Sequence, residues 1–456
     1  MAENTDNALV LAIASAVRDA GGRALIVGGW VRDRLLGVEA PDIDLEVFGL
    51  PVERLRALLE RFGRVDAVGA SFQVFKLGDI DVSLPRRESK AGRGHKAFEV
   101  TGDPAMSYED AARRRDFTIN AISFDPLTGE YLDPFSGRAD LERRVLRVVD
   151  QTRFADDSLR VLRALQFAAR FNLTMDESSK TICRGIALDD LPAERIWGEF
   201  EKLLFAPRPS IGLALGLELG VVERLFPELF ALVGCPQEPE WHPEGDVWVH
   251  TLQVVDQARK DISDLPRGKQ LALMVGAVAH DLGKPATTAY IDGRIRSIDH
   301  EEQGVAPATK FLDRLNLNSI DGYDVRAQVL AITAQHLKPG MWFKAQTKVG
   351  DGAFRRLAQK ADLELLGRIT RADCNGRFPG VFDCDGMVDW FLGRARALGV
   401  EHRAPEPILL GRHLVDLGVK PGPRMGEILK AVYEQQLDGA VTDLTSAISA
   451  ARHQLE

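Results

Sequence analysis

Four cysteines in 456 residues is few. Cys183, Cys235, Cys374 and Cys384 form no Cys-x-x-Cys pair, so the sequence suggests neither a disulfide framework nor a zinc ribbon. No apolar run approaches the roughly 18 residues that a bilayer span requires, and no signal-type segment is present. Internal repeats and low-complexity tracts are absent. Positive charge is also short: 58 Lys and Arg stand against 67 Asp and Glu, a formal net charge of −9. Taken alone, that total argues against a nucleic-acid partner. RNA binding needs only a local basic surface, however, and arginines do cluster at Arg113-Arg114-Arg115, at Arg143, Arg144 and Arg147, and at Arg160, Arg163 and Arg170. Apolar residues are plentiful at 45%, and the length predicts two or three domains. The expectation is a cytoplasmic protein without a membrane partner, its oligomeric state left open.

The chain is organised around Ile26-Val27-Gly28-Gly29-Trp30-Val31-Arg32-Asp33-Arg34-Leu35-Leu36-Gly37, followed by Pro41-Asp42-Ile43-Asp44-Leu45-Glu46-Val47. Ala24 to Val27 reads as a buried strand. Gly28-Gly29 lets the backbone turn sharply and leaves amides open to a phosphate. Arg32 to Leu36 reads as the start of a helix, whose positive end adds to that attraction. Ile43 to Phe48 reads as a strand, and residues two apart on a strand point to one side. Asp42 and Asp44 therefore sit together beside a phosphate-suited turn, a way to hold Mg²⁺ against a nucleoside triphosphate.

That linked run resembles the signature of the class II nucleotidyltransferases of the DNA polymerase β superfamily, which include tRNA CCA-adding enzymes and bacterial poly(A) polymerases. The resemblance implies an α+β fold. A small mixed-sheet polymerase-β-like head would span 1–150. An all-helical remainder would comprise a neck and body at 151–240, an HD domain at 241–375 and a tail at 376–456.

Along the chain, residues 7–20 and Pro51 to Phe62 read as helices, and Phe72 to Leu77 and Ile80 to Leu84 as strands. Asp81, on the second of these strands, is the candidate for the third carboxylate that the superfamily often carries. Residues 85–107 read as a long mobile loop. Arg113-Arg114-Arg115-Asp116-Phe117-Thr118-Ile119-Asn120-Ala121 is similar to the family's second motif. Arginines supply planar, permanent donors for a triphosphate, and Asn120 is suited to a ribose hydroxyl or a phosphate oxygen. Leu132-Asp133-Pro134-Phe135-Ser136-Gly137 looks like the third motif.

Phe154 to Phe171 reads as one helix with acids at its start, which places Asp157 and Arg160 on one face. Asp156-Asp157 with Arg160 resembles the fourth motif, Glu-Asp-x-x-Arg, with Asp156 in place of the Glu. A carboxylate accepts an exocyclic amine and a guanidinium serves a ring nitrogen, so such a pair fits cytosine and adenine and mismatches guanine and uracil. The Glu194-Arg195 pair resembles the fifth motif; such a pair either braces this helix or touches the tRNA, and the structural role is the expected one.

His242 to Thr251, then Val278-Ala279-His280-Asp281-Leu282-Gly283-Lys284, resembles the HD metal-dependent phosphohydrolases. The resemblance implies His250, His280, Asp281 and a distal Asp373 as metal ligands, with His300 and His336 as further candidates that would make room for two metals. His242 reads as an outer residue. Imidazole with carboxylate suits Mg²⁺, Mn²⁺, Ni²⁺ or Co²⁺, and Lys284 is placed to contact phosphate. Ile408 to Gly426 and Gln435 to Gly439 resemble the family's helical tail.

The expected function is transfer of CMP and AMP from CTP and ATP to the 3′ end of tRNA, with Mg²⁺ at Asp42, Asp44 and Asp81. Gly28, Gly29, Arg32, Arg115, Asp116, Asn120 and Arg163 would hold the nucleotide, and Asp157 and Arg160 would choose its base. The HD domain is expected to hydrolyse a phosphoester such as a 2′,3′-cyclic phosphate. Poly(A) or A-only addition, and a phosphohydrolase with a vestigial head, are the alternatives the sequence leaves open.

Overall fold

In the computed structural model the described residues are 2–38, 42–68, 74–90, 98–345, 348–380 and 383–455. They divide into two units, Met1–Leu225 and Phe226–Glu456.

The first unit opens with α1 (Ala2–Asp19) and β1 (Arg23–Val27), and Ala24 to Val27 of the strand are buried. The chain continues through α2 (Gly29–Leu36), β2 (Ile43–Phe48), α3 (Val52–Leu59), β3 (Asp66–Val68), β4 (Val74–Leu77) and β5 (Ile80–Ser83). Then follow β6 (Arg86–Lys90), β7 (Phe98–Gly102), α4 (Tyr108–Arg113), β8 (Ser123–Phe124), β9 (Tyr131–Leu132) and α5 (Gly137–Glu142). One seven-stranded sheet has the order β3-β4-β5-β2-β1-β8-β9. It is mixed: β2 and β5 run parallel, and the other neighbours are antiparallel. Register places Asp44 opposite Asp81 on one side and opposite Val27 on the other. The strand end that feeds the glycine turn therefore lies against the acids.

Three expectations need correction here. Residues 85–107 contain the antiparallel ribbon β6–β7, paired from Arg86↔Gly102 to Lys90↔Phe98. Backbone pairing needs no apolar alternation, so a polar ribbon is invisible to periodicity. Residues 91–97 of the expected loop, residues 72 and 73 of an expected strand, and Pro41 lie outside the described residues. Second, the helix expected from Phe154 starts only at Leu159, as α6 (Leu159–Phe171). Phe154–Asp156 is a single 3₁₀ turn and Asp157 is extended, at φ −127° and ψ 104°. Phe154 is fully buried edge-on against Phe117, ring centroids 5.5 Å apart, and that packing takes this turn off the helix track. Third, short ribbons interrupt the expected all-helical remainder, among them Thr288–Ile291 with Arg294–Ser297.

The first unit ends in α7 (Glu177–Arg184), α8 (Ala193–Leu204), α9 (Pro209–Glu218) and a short helix, Val221–Leu225. α6 packs on α8 and α9. A Cβ at Gly212 would stand 2.5 Å from the Leu165 carbonyl oxygen, so only glycine allows this approach of α9 to α6.

In the second unit, helices Val247–Lys260, Arg267–Ala279, Val325–Gln335 and Leu363–Asn375 pack together. Arg267–Ala279 is buried along its whole length from Leu271, as a continuously apolar helix must be. The tail has its own small core, Leu409, Leu414, Ile428, Val432, Val441, Ala447 and Ala451. Cys374 and Cys384 are joined by a disulfide between Leu363–Asn375 and Cys384–Ala397. This corrects the reading of the cysteines: the packing of the two helices, not a sequence motif, brings the thiols together. Among the described residues no helix is long and apolar enough to cross a membrane.

Candidate functional site

A cleft of about 1220 Å³ opens within the first unit. Nine Arg and Lys side chains line it against six carboxylates, a basic surface inside an acidic chain. At its floor Gly28 has φ 73° and ψ −134°, a conformation open to glycine and strained for other residues. A Cβ there would stand 3.3 Å from Arg115 Nη1 and 3.5 Å from Asp44 Oδ2. The turn thus sits directly on an acid and an arginine.

Asp44, on β2, and Asp42, just before it, are both exposed. Desolvation in the cleft raises the Asp44 pKa above the ordinary carboxylate value. Arg115 opposes this, and the charges of Asp81, Asp42 and Glu46 add to it. A set of mutually repelling oxygen donors is what a divalent cation relieves, so these residues fit such a cation by donor chemistry. Asp81 lies in register beside Asp44, but both of its oxygens are held by Lys76 Nζ, at 2.9 and 3.0 Å. Among the described residues, every group of three ligand-type side chains within 4.8 Å lies in the second unit.

Glu46 was not singled out by sequence, yet the period-two argument that pairs Asp42 with Asp44 extends to it. It is buried, pairs with Arg114 at 2.7 Å and lies 3.6 Å from Arg115. It thereby ties the arginine motif to the acid strand.

Arg32, Asn120 and Asp116 line the cleft as a buried network. Arg32 donates to Asp33 and, through Nη1, to Asn120 Oδ1 at 2.7 Å. Asn120 Nδ2 donates to Asp116 Oδ1 at 2.8 Å, and Arg163 Nε donates to Asp116 Oδ2 at 2.7 Å. Burial disfavours the charge on Asp116, but Arg163, Asn120 and the Phe117 amide outweigh it and hold the pKa low. Both ends of the Asn120 amide are engaged inside the protein.

Asp157 and Arg160 also line the cleft, each held by a different partner. Asp157 Oδ2 accepts from Arg195 Nη2 at 3.0 Å. Arg160 donates to the carbonyls of Arg153 (3.0 Å) and Arg114 (2.9 Å). Arg195 thus holds Asp157 in place.

The second site is built where four helices of the second unit end or pass. His250 sits on Val247–Lys260, His280 caps Arg267–Ala279, His336 caps Val325–Gln335, and Asp373 is in the last turn of Leu363–Asn375. His300 opens the short helix after the Thr288–Ser297 hairpin. All are buried. Three of the imidazoles point Nδ1 at a backbone carbonyl: His280 at Ala277 (2.9 Å), His300 at Ser297 (2.8 Å) and His336 at Thr333 (3.0 Å). His250 points Nδ1 at Glu244 Oε1, 2.7 Å away. Those acceptors call for Nδ1–H, which turns each Nε2 inward.

The inward Nε2 atoms meet carboxylate oxygens. His250 Nε2 is 3.1 Å from Asp373 Oδ1, and His280 Nε2 is 3.2 Å from Asp281 Oδ2, both without hydrogen-bond geometry. His300 Nε2 and His336 Nε2 lie 3.3 and 3.7 Å from Asp281 Oδ1. Buried ring nitrogens turned on carboxylate oxygens within one small site form a donor set that a divalent cation can join. Asp281 belongs to both compact ligand groups, with His250 and His280 and with His300 and His336, so the donor set fits a two-metal site sharing that carboxylate. Burial, then His280, pushes His336 down to about 3, so its ring is neutral. For Asp281, burial acts upward, but His280 and Lys284 outweigh it and hold the carboxyl well below the usual range.

Lys284 Nζ lies 2.7 Å from Asp281 Oδ2 and 2.7 Å from Gln237 Oε1. Arg377 holds both oxygens of Asp373. His242 is in the outer layer, sharing Glu244 with His250. A Cβ at Gly283 would overlap the His300 carbonyl, which explains the glycine after His280-Asp281-Leu282. Glu244, Gln237 and Arg377 were not assigned from sequence; only the proximity of Glu244 to His242 offered a signal.

Family models match three stretches of the chain: the poly A polymerase head domain at 24–147, the probable RNA and SrmB-binding site of polymerase A at 175–232, and the HD domain at 247–374. The multifunctional CCA protein of Xanthomonas campestris pv. campestris (strain B100) is 38% identical over 368 residues, 77% of this chain and 85% of that protein. The multifunctional CCA protein of Acinetobacter baumannii (strain AYE) is 35% identical over 387 residues, 83% of this chain and 85% of its own length. Among solved structures, the Bacillus stearothermophilus CCA-adding enzyme in complex with CTP superposes with a TM-score of 0.64 at 21% identity, covering 98% of this chain and 96% of that one. The Thermotoga maritima CCA-adding enzyme complexed with tRNA gives 0.59 at 19% identity, covering 98% and 95%. At these identities the structures speak for the fold alone. The length and identity of the matches to its relatives, together with the glycine turn on its acid strand and the buried histidine–aspartate cluster, establish that the chain belongs to the multifunctional CCA protein family.

Proposed function

We propose that the chain is a CCA-adding tRNA nucleotidyltransferase, moving CMP and AMP from CTP and ATP to the tRNA 3′ end, with a phosphohydrolase in its HD domain. The observation that carries the first part is the junction of Gly28, Asp44 and Arg115 on the floor of a basic cleft. Asp42 and Asp44, with Asp81 beside them, would hold Mg²⁺, which supplies charge neutralisation for the triphosphate and the attacking 3′-hydroxyl. The amides of the Gly28-Gly29 turn would face phosphate oxygens, and Arg115 would add a fixed positive charge. Arg32, Asn120, Asp116 and Arg163 hold the cleft wall in one geometry, so that positioning is largely prepaid. Asp157 and Arg160, each fixed by its own partner, present a carboxylate and a guanidinium to the Watson–Crick edge.

By function we assign 1–150 to the head, 151–240 to the neck and body, 241–375 to the HD domain and 376–456 to the tail. The cytoplasm, where tRNA is matured, is the compartment this activity implies.

The test is extension of a tRNA lacking its CCA end, read at single-nucleotide resolution. Two additions with CTP and a third only with ATP present are expected. A long ladder with ATP alone would make the protein a poly(A) polymerase; one A added only to ends already bearing CC would make it an A-adding enzyme. Gly28→Ala should lower addition about a hundredfold, because the new Cβ strains the turn and displaces Arg115 from its place beside Asp44. Its melting temperature should fall by only a few degrees. Arg195→Ala frees Asp157 and should lower kcat/KM for CTP about tenfold while narrowing the preference for CTP over UTP. An unchanged CTP/UTP ratio would remove Asp157 from base selection.

For the HD domain the carrying observation is the set of inward Nε2 atoms around Asp281. A divalent metal held there would bind phosphate and activate water; Mg²⁺, Mn²⁺, Ni²⁺ and Co²⁺ all suit the donors. The expected substrate is a 2′,3′-cyclic phosphate.

A further inference from the structure

Exposed apolar side chains are distributed unevenly. Among the described residues the most exposed large hydrophobic side chains are Tyr290 (76%), Phe378 (69%), Met341 (59%), Ile298 (53%), Val415 (52%) and Trp241 (47%). All but Val415 lie within ten residues of a ligating position of the histidine–aspartate site. Ordinary surfaces scatter such residues singly.

His280, His336 and Asp373 lie at helix ends, and exposed residues follow them closely in the chain. Met341 is five residues beyond His336, and Phe378 is five beyond Asp373. An extended chain of that length reaches at most about 18 Å. The Thr288–Ser297 hairpin shows the placement directly. Its base is part of the site: the Ser297 carbonyl accepts from His300 Nδ1, and Thr288 Oγ1 donates to the Lys284 carbonyl at 2.8 Å. Thr288 pairs with Ser297, and Tyr290 with Ile295. Tyr290 therefore stands on the same face as Thr288, about 7 Å farther along the strand. On the opposite face Arg294 lies over Trp241, 5.6 Å from the ring centroid, and pairs with Glu240. Lys338, at the root of the helix bearing Met341, lies over Trp342 at 5.9 Å.

Resting on the phosphohydrolase reading, we propose that this rim stacks the unpaired terminal nucleotides of an RNA whose end phosphate enters the metal site. Aromatic faces with Arg294 and Lys338 beside them suit bases and phosphates together. The ligands below are buried, so only a slim terminal group reaches them. Asp292 and Asp299 also lie on or beside the hairpin, which limits attraction for a long duplex backbone and leaves stacking as the main source of affinity.

The test compares two esters on the full chain: a short single-stranded RNA ending in a 2′,3′-cyclic phosphate, and glycerol 1,2-cyclic phosphate, which lacks a base. Tyr290→Ala and Phe378→Ala replace exposed side chains and should leave folding intact. Each should raise KM for the RNA about tenfold, with kcat and glycerol-ester hydrolysis within about twofold of wild type. Equal effects on both esters, or none, overturn the proposal. Photocrosslinking of the same RNA carrying a terminal 4-thiouridine gives a readout independent of hydrolysis, with adducts expected on the peptides of Tyr290, Met341 or Phe378. If wild type hydrolyses neither ester while the adducts fall there, the docking surface stands and the phosphohydrolase reading fails. Adducts confined elsewhere, or rim variants that change only the oligomeric state in sedimentation, overturn the rim.

Discussion

Asp42→Ala is expected to fold like the wild type and to add nucleotides at a rate lower by about a thousandfold or more. That loss corresponds to roughly 4 kcal/mol of transition-state stabilisation, in line with the several kcal/mol that a metal's charge supplies at a transferring phosphate. The variant is informative because Asp42 is exposed, just before β2. Its charge is one of those that, after desolvation, raise the Asp44 pKa. Removing it should let the Asp44 pKa fall toward the ordinary value and should not destabilise the fold. Single-nucleotide addition measured beside thermal melting checks both halves. A folded Asp42→Ala protein that adds nucleotides normally would sink the assignment of the acid strand.

Asp281→Ala should abolish metal-dependent phosphoester hydrolysis and leave nucleotide addition within about twofold of wild type. Asp281 is shared by both ligand groups, so one substitution empties both of a donor. It also carries a structural load, because Lys284 is buried with Asp281 and Gln237 as its partners. Leaving an ammonium buried without its carboxylate costs about 3 kcal/mol or more, so the alanine variant should melt earlier. Asp281→Asn keeps an oxygen for Lys284; it should recover much of that stability and none of the activity. Metal content and hydrolysis of a nucleoside 2′,3′-cyclic phosphate, tried with Mg²⁺, Mn²⁺, Ni²⁺ and Co²⁺, give the readout. A wild-type protein that hydrolyses no phosphoester with any of the four would overturn the reading.

The parts of both sites that were legible in the sequence are those set by neighbours in the chain. A strand repeats every two residues, so Asp42 and Asp44 could be paired before any fold was known. Gly28-Gly29 at the end of a buried strand marks a sharp turn. His280 and Asp281 are adjacent. What could not be read depends on packing at long range. Phe154 belongs by pattern to the helix of Leu159–Phe171, and only its burial against Phe117 pulls it out. The partner of Asp157 is Arg195, 38 residues on, rather than the arginine three residues away. Glu244 and Gln237 acquire roles only because His250 and Lys284 fold back onto them. The Cys374–Cys384 bond needs two helices laid side by side. The β6–β7 ribbon is held by backbone pairing that no side-chain pattern encodes.

Each of the two sites draws every residue assigned to it from one unit: the cleft from residues before Leu225, the histidine–aspartate cluster from residues after Phe226. The consequence is genetic. A null lesion at Asp42 and a null lesion at Asp281 strike separable functions, so two co-expressed defective alleles should complement one another in trans, each chain supplying what the other lacks. Selection on tRNA ends and selection on phosphoester turnover can then act on one gene without trading against each other, and a lineage that no longer needs the second activity can lose it by point mutation while the first persists.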